Sequence, residues 1–528
     1  SGCGSNSFNN LIHSGAGTIQ LLTNGIDING SFTNSAGIFD CMNLSISIAG
    51  NWTNSATFTS NTGIVTFDAA AAQTISGSTT WNNLTIDNTA ADPGDAADVE
   101  PSSAQTVTGL LYIKDGQWTP YNGDSYKYVS IEVAGIIKPA SGSIISVSGD
   151  WTNWGTFTNN SGTVNFSSSS TQEITDTAAW GGLQVSGSNV NLNCTASATS
   201  VTVNSGGVLY TNLYDLTAGS GGISVSGTLD ASPHVVMSDD FNNGSVDSNI
   251  WRTANALYSG SLVQESAGVL KAISTASNSG FIYSKYPYRV KNAIYKIRVA
   301  QISLDGGFKI SKTYGTSNWP QWDIYSEPNA YNMQLTTGGV VTVDKVKGGS
   351  RTNPASSPAL TAPYWLRMRT TDSKIYFEYS TDDSTWNGIY NETWDINTAI
   401  TDLYYVFITS YDTPTTGQGW FDDFSIAFQG TRSAITDSGN FTVNSGGIVN
   451  NSTASITVGG NWANSGTFTR GTGTVTFDSA SPSTITGSTT FYNLSCVTPG
   501  KALTFEAGSV QTIEAGATWN FKGNEVGL

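Results

Sequence analysis

GNWTNSATFTSNTGIVTFDAAAAQTISGSTTWNNLTI, Gly50 to Ile86, decides the fold because it does not occur once. It returns as GDWTNWGTFTNNSGTVNFSSSSTQEITDTAAWGGLQV, Gly149 to Val185, and as GNWANSGTFTRGTGTVTFDSASPSTITGSTTFYNLSC, Gly460 to Cys496. The aromatic residues superpose without gaps: Trp52, Trp151 and Trp462; Phe58, Phe157 and Phe468; Phe67, Phe166 and Phe477; Trp81, Trp180 and Phe491. Self-similarity of this kind is the signature of a repeat architecture, in which one unit cannot bury its own apolar face and neighbours must stack.

Working outward, short alternating segments fill and join the copies: Ile46-Ser-Ile48, Val164-Asn-Phe166, Val201-Thr-Val203, Ile223-Ser-Val225 and Ile456-Thr-Val458. Each puts two apolar side chains on one face of a strand, and Gly or Asn follows to permit a sharp corner. Stacked rungs of this type pair every strand edge except those at the two ends. The sequence therefore predicts an all-β fold, a β-solenoid of the parallel β-helix kind, with a row of small antiparallel sandwiches as the alternative.

Composition agrees. Charged residues are 12% of the chain, against roughly 25% in an average soluble protein. Stacked rungs bring like positions together, so repeated charges would repel, whereas Asn, Ser and Thr form hydrogen-bonded ladders. The net charge of −17 repels a phosphate backbone and argues against nucleic acid as a partner. No apolar run reaches the 18 or so residues of a membrane span. Sequons are dense, and Asn51, Asn83, Asn243 and Asn391 are taken as glycosylation candidates, which predicts an extracellular, cell-surface protein whose export signal has been removed. Four cysteines show no CxxC pair. Cys3, Cys41 and Cys194 are candidates for a disulfide or an intersubunit bond, and Cys496, in the slot of Ile86 and Val185, is expected to point inward.

Between about Val235 and Phe428 the composition shifts toward Lys, Arg, Tyr, Pro and Asp. TVNSGGVL, Thr202 to Leu209, lies before this region and TVNSGGIV, Thr442 to Val449, lies after it. The expected division is a first solenoid part over 1–232, an inserted domain over 233–430 and a second solenoid part over 431–528.

Three motifs of the insert, SDDFNNGSVDSNIW (Ser238 to Trp251), IYFEYSTDDSTWN (Ile375 to Asn387) and GWFDDFSIAF (Gly419 to Phe428), resemble strands of concanavalin-like jelly-roll domains. The resemblance implies a β-sandwich, and a structural calcium near Asp240 and Asp423. Lectins of this type stack sugars on aromatic rings, so Trp319, Trp322, Tyr325 and Tyr331 are the carbohydrate-binding candidates. Laminarinase-type members carry ExDxxE, a pair of carboxylates for retaining hydrolysis. The nearest match here, QWDIYS over Gln321 to Ser326, keeps Asp323 and lacks both outer carboxylates, with Glu327 out of register. His13 and His234 have no GxSxG elbow to serve. On these grounds the sequence reading expects no enzyme.

Repeat-rich chains heavy in Asn, Ser, Thr and Gly resemble archaeal and bacterial surface and sheath proteins. GSNSFNNL, Gly4 to Leu11, matches GSTTFYNL, Gly487 to Leu494, so the chain begins partway through a module. The resulting expectation is a structural subunit of a sheath, surface layer or filament. It would partner itself in a homopolymer through strand pairing. The alternative is an adhesin that binds cell-surface glycans through the jelly roll.

Overall fold

A computed structural model describes residues 7–522, except 90–98, 177, 188, 213, 233–234, 248–250, 254–262, 275–280, 285–287, 290–292, 303–305, 312–328, 337, 348–349, 372–373, 394–402, 411–416 and 429–433. The chain divides into two compact units, Ser1–Ser232 with Thr431–Leu528, and Pro233–Gly430. All the regular structure described is β-strand.

The first unit is a parallel solenoid, which excludes the row of antiparallel sandwiches. Ile26–Ile28, Phe32–Asn34 and Ile38–Asp40 make one turn, and each pairs in parallel with its counterpart in the next: Ile26 with Ile46, Phe32 with Trp52, Ile38 with Thr57. Columns of inward side chains result. Ile28, Ile48, Phe67 and Ile86 stand in successive rungs, all fully buried. The aromatic positions of the three modules form the core. Trp52 stacks on Phe32 at 4.1 Å and meets Phe58 edge-on at 4.9 Å, the edge-to-face geometry that ring quadrupoles favour. Trp151 with Phe157, and Trp462 with Phe468, repeat that edge-on contact at 5.5 and 5.0 Å.

Buried polar groups in this core are matched from rung to rung. Trp52 Nε1 and Asn54 Nδ2 both donate to Thr79 Oγ1, and Trp462 Nε1 and Asn464 Nδ2 both donate to Thr489 Oγ1. The middle module has Ala178 at that slot. There the carboxylate of Asp176, two residues earlier, accepts from Trp151 Nε1 and Asn153 Nδ2 instead. At the corners, Asn51, Asp150 and Asn461 each accept the backbone N–H of the next rung, from Thr74, Glu173 and Thr484. The module thus repeats its hydrogen bonds as well as its apolar pattern, as an interior with few unpaired polar groups requires.

The solenoid continues across the insertion. Leu216–Val225 pairs in parallel with both Ala434–Asp437 and Phe441–Val443, and Thr228–Asp230 pairs with Ile448–Asn450. Val203, Val225 and Val443 fall in one column, so the rung after the insertion takes the place that sequence order alone would give to residue 233 onward.

The second unit is a jelly-roll-like sandwich of two antiparallel sheets. Sheet I runs Val263–Glu265, Leu270–Ser274, Gly417–Phe428, Ala293–Ile302, Tyr364–Thr370, Lys374–Ser380 and Asn387–Thr393. Sheet II runs Trp251–Thr253, Phe281–Ser284, Leu403–Ser410, Gly306–Ser311, Asn329–Leu335, Val341–Lys347 and Ser350–Ser356. Alternation puts Tyr295, Ile297, Leu366, Met368 and Phe377 of sheet I against Phe308, Ile310, Met333 and Val343 of sheet II, all fully buried. Phe308 to Phe424 at 6.2 Å and Tyr331 to Phe377 at 5.6 Å are contacts across the sandwich.

Candidate functional site

Period-two alternation that turns Tyr364, Leu366 and Met368 inward turns Trp365, Arg367 and Arg369 outward. The next strand contributes Tyr376 and Glu378 to the same outer face, with Arg367 opposite Glu378 and Arg369 opposite Tyr376. Arg369 lies over the Tyr376 ring and Arg367 over the Trp386 ring, each 3.9 Å from the centroid. Arg367 Nε donates to Glu378 at 2.6 Å and Arg369 Nη2 at 3.1 Å. Those hydrogen bonds and charges hold the Glu378 carboxyl below its ordinary range against the opposing effect of burial. The array extends sideways: Arg298 covers Trp365 at 5.5 Å and pairs with Asp422 at 2.5 Å, and Lys271 covers Trp420 at 4.7 Å. The outer face of sheet I is therefore a fixed surface of half-exposed rings and paired charges. Sequence reasoning did not single it out, although the spacing W-x-R-x-R beside Y-x-E puts these residues on one face of a hairpin.

Sheet II also has a polar row on its outer side. Lys309, Asn332 and Asp344 are direct neighbours on three adjacent strands. All three are buried, at 7%, 1% and 1% exposure. Asn332 Nδ2 donates to Asp344 Oδ2 at 3.2 Å, and Arg351 Nη2 donates to the same oxygen at 2.8 Å. Burial raises the Asp344 carboxyl above its ordinary range despite that guanidinium.

The residues expected from sequence are dispersed. Trp319, Trp322 and Tyr325, with the QWDIYS segment, His234 and Cys3, lie outside the described residues. Tyr331 is buried between the sheets, where its hydroxyl donates to Glu392 at 2.8 Å, so it does not face a ligand. Asp240 and Asp423 are exposed and near enough for Asp240 to contribute, after burial and Asp422, to raising the Asp423 carboxyl. No group of three His, Cys, Asp or Glu side chains able to hold a metal occurs among the described residues. Among the described residues, side chains alone make no calcium cage, and calcium there would draw on backbone carbonyls as well. Cys41, Cys194 and Cys496 are free and buried. Asn51, Asn243 and Asn391 are exposed and Asn83 is half-buried. No helix is long and apolar enough to cross a membrane among the described residues.

No family model matches the chain, and no curated protein matches it. Solved structures do. An endo-acting O-glycanase of the human gut microbiota matches at 11% identity, over 37% of this chain and 100% of its own, with a TM-score of 0.29. The catalytic domain of a laminarinase from Thermotoga petrophila matches at 11% over 38% and 98%, with a TM-score of 0.29. A laminarinase from Rhodothermus marinus matches at 12% over 37% and 98%, with a TM-score of 0.28. At such identity the likeness concerns the fold. It nevertheless removes the expectation that the chain is no enzyme, since the structures it resembles are glycoside hydrolases. That expectation rested on the absent outer carboxylates of QWDIYS, a segment outside the described residues.

Proposed function

We propose that the chain is an extracellular, glycan-directed protein in which a β-solenoid carries a carbohydrate-recognising jelly roll. The supporting observation is the outer face of sheet I. Saccharides are held by stacking of their C–H faces on aromatic rings and by planar charged groups that pair with neighbouring hydroxyls. Trp365, Tyr376, Trp386 and Trp420 supply rings, while Arg367, Arg369 and Glu378 supply donors and acceptors already fixed by one another. Little side-chain freedom remains to be lost on binding. Exposed sequons at Asn51, Asn243 and Asn391 support the extracellular setting. The test is affinity electrophoresis and calorimetry of the whole chain against neutral and acidic polysaccharides, with new reducing ends followed in the same mixtures. Binding that Trp386→Ala with Tyr376→Ala weakens about tenfold or more is expected. Failure of every polysaccharide to retard the chain overturns the reading.

A second reading is self-assembly as a surface or sheath subunit, by strand pairing between copies. Among the described residues, Leu11–His13 and Thr18–Gln20 at one end, and Leu503–Phe505 and Trp519–Phe521 at the other, pair on one edge each. Ile12 and Trp519 stand exposed there. Electron microscopy tests this: ordered filaments, tubes or sheets support it, and dispersed particles at every concentration sink it.

A further inference from the structure

Ion pairs on the outer face of sheet I leave part of its positive charge unspent. Ala293–Ile302 and Tyr364–Thr370 are adjacent antiparallel strands, and their register sets Lys296 directly opposite Arg367, Arg298 opposite Trp365 and Arg369 opposite Ile294. Four cationic side chains, Lys296, Arg298, Arg367 and Arg369, therefore occupy one block of two strands. Their sequence neighbours Tyr295, Ile297, Leu366 and Met368 are fully buried, so the four share the outer face. Like charges directly opposite one another are destabilising. A chain of net charge −17 nonetheless gathers four of its 22 lysines and arginines here.

The acids that meet the block stand mostly on its flanks. Asp383 draws Lys296 toward the turn after Lys374–Ser380, and Asp422 draws Arg298 toward Gly417–Phe428. Asp423 is near enough to feel both cations. Glu378 alone is shared by two cations, accepting from Arg367 Nε and from Arg369 Nε and Nη2, so two positive charges face one negative. Donors remain after these bonds. Among the described residues Arg367 gives only Nε to a protein acceptor, which leaves both Nη groups; Arg369 keeps Nη1, and Arg298 keeps Nε and Nη2. The four side chains are 17–28% exposed, so these donors are held at the surface and not sealed beneath it. Beyond the block, Lys271 meets Ser266 Oγ at 3.4 Å and the Trp420 ring, and no carboxylate among the described residues.

We propose that the ligand of this face is an acidic polysaccharide, whose sugars carry carboxylate or sulfate groups; this rests on the glycan reading above and names its substrate class. A guanidinium presents parallel N–H groups that match two oxygens of such an anion, while its flat face stacks on a ring. Arg367 has that form, with Trp386 beneath it and its Nη pair unspent. An anion seated over Lys296 and Arg367 offsets the repulsion between two directly opposed cations, which an uncharged sugar cannot do. Tyr376 and Trp386 give the same chain rings to lie against. The acidic surface elsewhere on the protein repels a polyanion, so the contact is confined to this face.

The test is calorimetry and affinity electrophoresis of the whole chain with dextran and dextran sulfate, one backbone without and with charge, and with pectate, which carries carboxylates. Binding of dextran sulfate or pectate at least about tenfold tighter than dextran is expected, and the tighter of the two tells sulfate from carboxylate. Lys296→Gln with Arg369→Gln should bring that ratio close to one, while Arg367 keeps Glu378 paired. The wild-type comparison decides even where this variant does not fold. Dextran bound as tightly as the acidic polymers overturns the proposal and leaves the glycan reading standing. Failure of every polysaccharide to bind overturns both. An acidic preference that the folded double variant keeps overturns the assignment to this face. Polyglutamate bound as tightly as pectate overturns the proposal as well, because a polyanion without sugar would then suffice.

Discussion

The carboxylate of Asp437 accepts a hydrogen bond from the backbone N–H of Ile223 at 3.2 Å, across 214 residues of sequence. Its other oxygen accepts from Gly439 N at 2.8 Å. One buried side chain thus fastens the rung that follows the insertion to the rung that precedes it. Asp437→Ala leaves the Gly439 N–H without its acceptor, while the Ile223 N–H keeps Asn440 O at 3.1 Å, so a cost of about 1–3 kcal/mol is expected. A lower urea midpoint for the solenoid is expected, with the unfolding of the insert unmoved; equal losses in both units would contradict the assignment.

Burial pushes the carboxyls of Asp437 and Asp124 up to about 6 and that of Glu173 up to about 8. Each holds its proton more tightly folded than unfolded, so between the two pKa values the folded state binds more protons. Stability from these groups is fully present below pH 4 or so and is lost as pH rises through 6 for the aspartates and 8 for Glu173, at most about 3 kcal/mol for each aspartate. Thermal unfolding of the solenoid should therefore occur at higher temperature at pH 5 than at pH 8. Asp437→Asn should flatten part of that difference. A solenoid more stable at pH 8 contradicts the burial argument.

Thr79 and Thr489 each accept from a buried tryptophan and a buried asparagine. Thr79→Val keeps the shape and removes the acceptor, so a loss of about 1–2 kcal/mol is expected. Trp52→Ala should cost more, about 3–5 kcal/mol, because it also opens a cavity beside Phe32 and Phe58. Denaturant titration of the two variants gives the order, and the reverse order would be inconsistent with an aromatic core.

A fragment spanning 232–430 is expected to fold as a soluble unit with one melting transition, since both sheets close within it. Calcium at the Asp240 and Asp423 end remains a proposal. It predicts a rise in that transition on adding calcium, removed by Asp423→Asn. An unchanged transition rules out a structural ion there.

The sequence by itself determined that like rungs repeat and stack, and the parallel pairing of Ile26 with Ile46 and of Phe32 with Trp52 decided for the solenoid over the row of antiparallel sandwiches. Trp52, Phe58, Phe67 and Trp81 recur at fixed spacing, and an alternating rung with a Gly or Asn corner can bury its apolar face only against another rung. It also marked the interruption, because TVNSGG occurs on both sides of a stretch with different composition. The tertiary structure decided everything that depends on which strands become neighbours. Lys309, Asn332 and Asp344 are scattered along the chain and meet only because Gly306–Ser311, Asn329–Leu335 and Val341–Lys347 pair in that register. The same holds for Arg298 with Trp365 and Asp422, and for Asp437 with Ile223. Tyr331, which its aromatic neighbours in sequence suggested as a sugar contact, faces the core because its strand turns alternate residues to opposite sides. Apolar periodicity is written locally, whereas the meeting of polar groups is set by long-range register, which no local stretch contains.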